Sequence, residues 1–160
     1  MSAIASFILL PKSALPELRE AAVPKKSFFG GVKDRFHDFL RTRGREAASY
    51  DWSGYVIATV LPYLKERKIV LMKSEHDELS SHLSKERKST CFILTPAHKR
   101  EYLAQLSPES YSEAELRDYC NKFNGSSEGD AGRPMLDGIR AIHDSLRQLD
   151  DDSVILLHIG

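Results

Sequence analysis

Six histidines, two cysteines and 23 acidic side chains give this chain the raw material for acid–base, nucleophilic and metal chemistry. Spacing decides which of these is open to it. The nearest approach to a nucleophile elbow is Asp51-Trp52-Ser53-Gly54-Tyr55. The elbow's sharp strand-to-helix turn calls for glycines two residues to either side of the serine, and Asp51 and Tyr55 stand there instead. Ser53 is more simply the N-cap of a helix. Glu75, His76, Asp77, Glu78 and His82 are the densest run of metal-ligating types, and Glu78 and His82 share a helix face at i, i+4. Two ligands on one face leave a coordination shell open. Asp150-Asp151-Asp152 falls where a helix-to-strand turn belongs, and consecutive carboxylates cannot all point at one ion. Neither a metal nor a cofactor is expected, since the chain has no phosphate-cradling glycine loop, dinucleotide fingerprint, HExxH or CxxC.

Three further groups could bind rather than react. His98, Lys99 and Arg100 follow Thr95-Pro96 at the end of an apolar strand, where α/β folds place sites, and together could hold a small ligand or an anion. Trp52 is the only tryptophan and lies in the polar setting Tyr50-Asp51-Trp52-Ser53; with Asp51 and Tyr55 it is the group best suited to contact a partner. Residues 25–45 hold seven basic side chains against two acids, beside Phe28 and Phe29. That composition suits nucleic acid, but Asp34 and Asp38 can pair with His37 and Arg41 at i, i+3, and the two aromatics can seal the loop onto the core.

The elements that must position these groups follow from periodicity. Ile4 to Leu10 and Val154 to Ile159 are nearly unbroken apolar runs, as expected of interior strands covered on both faces. Residues 89–95 form a third strand, entering a helix over 96–105 through an N-cap threonine and N1 proline, and Lys68 to Met72 is expected as a fourth. Helices are expected over 14–22 and over 32–43, the latter burying Val32, Phe36, Phe39 and Leu40. Another runs from Ser53 to about Arg67, with a kink at Pro62. A helix over 75–86 starts at a weakened capping box of Ser74 and Asp77, and one more follows the capping box of Ser112 and Glu115. The last runs from Pro134 to Leu149, behind a mobile, glycine-rich loop over 124–132. The order β-α-α-α-β-α-β-α-α-α-β makes residues 1–160 a single α/β domain, a mixed α+β arrangement being the alternative.

Bulk properties are those of an ordinary folded protein: 41% hydrophobic and 29% charged residues, with zero net charge. The charge is nevertheless polarised. Residues 1–100 carry 18 basic and 11 acidic side chains and residues 101–160 carry 5 and 12, an asymmetry that can steer a partner. Cys91 and Cys120 fall in apolar patterns and are expected as reduced core residues of a cytoplasmic protein. The first apolar run has no basic flank, is shorter than the about 20 residues of a membrane span and ends at Pro11. Neither a leader nor membrane contact is expected.

The opening Met1-Ser2-Ala3-Ile4-Ala5-Ser6-Phe7 through Leu15, the Trp52 segment leading into an apolar helix, the Leu94-Thr95-Pro96 helix entry and the closing helix and strand resemble the bacterial YfbM-like proteins in order of segments. The centre departs from that pattern. Residues 80–88 stand where the family would have a glycine-rich stretch. The resemblance implies a small bacterial α/β protein and assigns no activity. With no catalytic constellation in view, the leading expectation is a protein-binding module of the immunity or regulatory kind rather than an enzyme, using Asp51, Trp52 and Tyr55. The alternative is a small-ligand protein or hydrolase-like enzyme with a cleft near His98, Lys99 and Arg100. Nucleic-acid binding through residues 25–45 comes third, and oligomeric state is left open.

Overall fold

The two apolar runs at the ends of the chain meet at the centre of one sheet. In the computed structural model, which describes residues 2–160, β1 (Ala5–Pro11) and β6 (Ser153–Ile159) pair antiparallel along their full seven residues, from Ala5 opposite Ile159 to Pro11 opposite Ser153. β5 (Thr90–Leu94) pairs with the other side of β6, and β4 (Arg45–Ala48) with the other side of β1. The order β4-β1-β6-β5 is antiparallel throughout.

Side-chain alternation divides the interior in two. Phe7, Ile155, Leu157, Ile159 and Leu94 face one core, which is closed by α3 (Gly54–Glu66), α5 (Pro96–Tyr102), α6 (Glu113–Asn124) and α7 (Gly132–Arg147). Leu10, Val154, Leu156, Cys91 and Ile93 face a second core, closed by α1 (Leu15–Ala21), α2 (Phe36–Arg43) and α4 (Asp77–Arg87). Burial on both faces is why these strands are continuous apolar runs rather than alternating ones. The result is a mixed α/β domain with the sheet between two helical layers. Among the described residues, no helix is long and apolar enough to cross a membrane.

Several expectations change, and the short edge strand β4 was not among those the sequence raised. Lys68 to Met72 is not a strand. Lys68 adopts a left-handed conformation (φ 64°), and the N–H groups of Lys68 and Ile69 bond back to the carbonyls of Lys65 and Leu64, closing α3 with a Schellman turn. Ile69 and Leu71 are then buried as loop residues. The helix expected over 32–43 begins only at Phe36, because Val32 and Lys33 form β3, paired with β2 (Lys25–Lys26) in a short hairpin. Val32 is exposed rather than buried, and Phe28 and Phe29, expected to seal the loop, stand fully in solvent. Asp34 pairs with Arg87 rather than His37.

Candidate functional site

The segment Ser49–Ser53 leaves the edge strand β4, crosses the amino-terminal half of α7 and enters α3. Its course is fixed at three points. Tyr50, buried, donates its hydroxyl to the Pro134 carbonyl at 3.0 Å. Ser53 caps α3 by accepting from the Tyr55 N–H at 3.3 Å. The segment is also tied to the start of β1, since the Gly54 N–H donates to the Ala3 carbonyl and Ile4 bridges Ser53. Gly54 sits so close to the Ile4 and Ala5 backbone that a Cβ would approach it to 3.0 Å.

Trp52 is held within this frame without being buried. Its Nε1–H donates to Asp137 Oδ2 at 3.1 Å while 46% of the residue stays exposed. Asp137 also accepts from Arg140 at 3.0 Å and pairs with Arg133 at 3.1 Å, and Arg133 in turn reaches Glu113 of α6. A carboxylate engaged by an indole and two guanidinium groups is an anchor for the three side chains around it. Beside Trp52 stand Tyr55, 54% exposed, and Ile4, 65% exposed. Behind it, a cleft of about 290 Å³ lies between residues 47–52 and α7, with the carboxylates of Asp51, Asp137 and Asp144 and the guanidinium of Arg140 on its walls. Burial, reinforced by the nearby Asp137 charge, pushes the Tyr50 hydroxyl far above its ordinary range, so it stays protonated as a donor.

Asp51 and Trp52 therefore share one surface, to which the structure adds Asp137, Arg140 and Asp144; Tyr55 and Ile4, both exposed, adjoin it through their contacts with Ser53. These additions were out of reach of local pattern. One signal exists, since Arg133, Asp137, Arg140 and Asp144 recur at helical spacing opposite the apolar stripe of α7; sequence does not say what that polar face meets.

The other binding group is dispersed. His98 is buried, at 5% exposure, and both ring nitrogens are spoken for: Nδ1 accepts from the Thr95 N–H at 3.0 Å, and Nε2 lies 2.7 Å from the Lys73 carbonyl, to which it donates. Those contacts define the neutral tautomer, and desolvation holds the ring's pKa below the ordinary histidine value. Lys99 turns away to donate to the carbonyls of Arg147 (3.0 Å) and Leu149 (2.6 Å), closing the carboxyl end of α7. Arg100 faces solvent, 3.5 Å from Asp151. An open depression of about 490 Å³ is lined by His98 and Arg100, together with Lys73, Glu75 and Glu101, but Lys99 takes no part in it.

The remaining groups are also engaged separately. Glu78 pairs with Arg19 and His82 contacts the Arg19 carbonyl. Among the described residues, no three His, Cys, Asp or Glu side chains are arranged to hold a metal ion. Cys91 and Cys120 are buried and unpaired, and burial pushes both thiols up. On the second core's face of the sheet His158 lies 3.0 Å from Ser89 Oγ, its ring flanked by Phe36; burial foremost, then the charges of His37 and Arg87, lowers its pKa.

Comparison of the chain with protein-family models, with curated proteins and with solved structures gives no match in any of the three.

Proposed function

We propose that this protein is a binding module, of the immunity or regulatory kind, that occupies a protein partner through the surface of Ile4, Asp51, Trp52 and Tyr55. One observation carries the reading: the only tryptophan is half-exposed yet fixed by a hydrogen bond to Asp137. An ordered, exposed aromatic loses little conformational freedom on binding, which is the property of interface anchors. The carboxylates of Asp51 and Asp144 beside it favour a partner presenting a lysine or arginine, whose cation can also lie against the indole face. The acid excess of residues 101–160 supports steering of the same sign.

A small ligand near His98 draws less support, because the imidazole is consumed by the backbone on both sides. The resemblance to the YfbM-like proteins belongs to this proposal as a relation of fold; a family member with the strand order β4-β1-β6-β5 would support it. The function is tested by affinity capture of the tagged chain from its host lysate, followed by affinity measurement with the recovered partner. Trp52→Ala should weaken that affinity by about 30-fold, the effect of losing an interface anchor worth about 2 kcal/mol. An unchanged affinity removes Trp52 from the interface.

A further inference from the structure

We propose that the β2–β3 hairpin is a lipid-contacting finger that docks the protein reversibly on bilayers carrying anionic headgroups. Its tip is a turn in which the Gly30 N–H donates to the Ser27 carbonyl at 3.1 Å and the Ser27 N–H to the Gly31 carbonyl at 2.6 Å. Gly30 supplies the left-handed φ of 85° that this geometry needs. Phe28 and Phe29 occupy the two apex positions at 102% and 97% exposure, and Val32 next to them is 68% exposed. Two wholly solvated phenylalanines at one point are unusual on a folded surface. The turn's internal hydrogen bonds let that apex leave water without stranding those donors.

Uncompensated charge around the hairpin has one sign, since Glu17 and Asp38, which share a depression with Lys33 and Arg35, pair with Arg43 and Arg41. Lys25, Lys26, Lys33 and Arg35 are exposed and take part in no ion pair among the described residues. Asp34, the only acid between residues 25 and 35, is held bidentately by Arg87 of α4 at 3.0 and 2.7 Å. Arg87 also donates to the Ala22 carbonyl on the other side of the hairpin and lies over the Phe36 ring. One guanidinium thus clamps both roots of the finger to the body while removing its negative charge from play.

The shape selects the occupant. An apolar tip ringed by lysines fits the boundary between headgroups and acyl chains, with the ammonium groups at the phosphates. A bilayer receives such a convex tip without a matching cavity. The two rings stand at 74° to one another, 6.5 Å apart, and so do not form the parallel platform on which successive nucleotide bases stack. A surface finger requires neither a leader nor a spanning helix, so the expectation of no membrane contact does not extend to it. The finger belongs to the α1, α2 and α4 layer, across the sheet from Trp52, so docking leaves the proposed partner surface free.

The test is co-sedimentation with phosphatidylcholine vesicles prepared with and without phosphatidylserine. Wild type should partition onto the phosphatidylserine vesicles and not onto phosphatidylcholine alone. Phe28→Ala with Phe29→Ala should lower partitioning at least about tenfold. Each Lys→Glu change at positions 25, 26 and 33 should lower it by about fivefold or more, less at high salt. In a Trp52→Phe background, tryptophan placed by Phe29→Trp should shift to the blue and be quenched by brominated acyl chains. The proposal is overturned by equal binding to both vesicle types, by binding that survives the double phenylalanine change, or by an unquenched probe. It is equally overturned if vesicles are ignored while single-stranded DNA, or a second copy of the chain, is bound through these same residues.

Discussion

Replacing His98 by alanine separates a structural imidazole from a ligand-binding one. In the fold the ring joins the entry of α5 to the loop at Lys73, accepting from Thr95 and donating to Lys73. Truncation leaves the buried Thr95 N–H without an acceptor, which costs about 1–3 kcal/mol. The Lys73 carbonyl lies on an exposed residue and can turn to water, so its loss adds only about 0.5–1 kcal/mol. With the void left by the ring, the total is about 2–4 kcal/mol, or roughly 5–15 °C in Tm for a chain of this size. His98→Gln should recover about half of that stability, because a glutamine at this position of a helix start can accept from the N-cap N–H as in a capping box.

The pH dependence has a definite sign. Burial lowers the folded pKa below the ordinary value of 6.5, so the contribution is complete above that pH and is lost as the pH falls below it. The stability gap between wild type and His98→Gln should therefore narrow from pH 7.5 to pH 5.5. Wild type and the glutamine variant will share a residual acid loss from His158, whose pKa is lowered likewise. Urea unfolding followed by circular dichroism at both pH values measures this. An alanine variant within about 0.5 kcal/mol of wild type, or a gap that widens on acidification, refutes the reasoning.

Two further stability predictions concern helix ends. Lys68 and Lys88 hold left-handed conformations (φ 64° and 51°) at the ends of α3 and α4, each inside the same pair of backbone bonds that Gly125 makes after α6. A left-handed non-glycine residue costs about 1–2 kcal/mol, part of which glycine returns as chain entropy, so Lys68→Gly and Lys88→Gly should each stabilise by about 0.5–1 kcal/mol. Gly125→Lys should cost a similar amount, and denaturant midpoints that fail to move in opposite directions would contradict this. Gly132→Ala opposes the usual benefit of alanine in a helix. Its Cβ would come within 2.3 Å of the Glu113 carbonyl oxygen, forcing α6 and α7 apart at about 1–3 kcal/mol, readable as a lowered Tm.

Legibility in the sequence tracked how local the cause was. β1, β5 and β6 declared themselves because burial on both faces removes polar residues from the run. Ser53, Ser112 and the Thr95-Pro96 entry were plain because a cap acts within three residues. β4 was missed, since Arg45-Glu46-Ala47-Ala48 has no strand preference of its own and is extended only by pairing with Phe7, Ile8 and Leu9. The opposite error at Lys68–Met72 has the same origin: β-branched and apolar residues there answer to burial beneath a helix end, not to a ladder. At the candidate site Asp51, Trp52 and Tyr55 were visible as neighbours in sequence. Asp137 lies 85 residues from Trp52, and Lys73 lies 25 from His98. Local pattern assigns neither partner.

The placing of β6 also sets an order of assembly. It follows the other described strands in the chain, yet it lies between β1 and β5 and touches both interiors. Until residue 159 has emerged, β1 and β5 have no common neighbour, and the two helical layers have no floor to close upon. The Ile4 and Gly160 backbones, joined by bonds of 2.9 and 3.0 Å, can meet only after 155 intervening residues have passed. Long-range pairing of this kind slows folding and prolongs exposure of strand edges. The nascent chain must therefore carry an unfinished sheet until β6 has emerged, and complete it in one step.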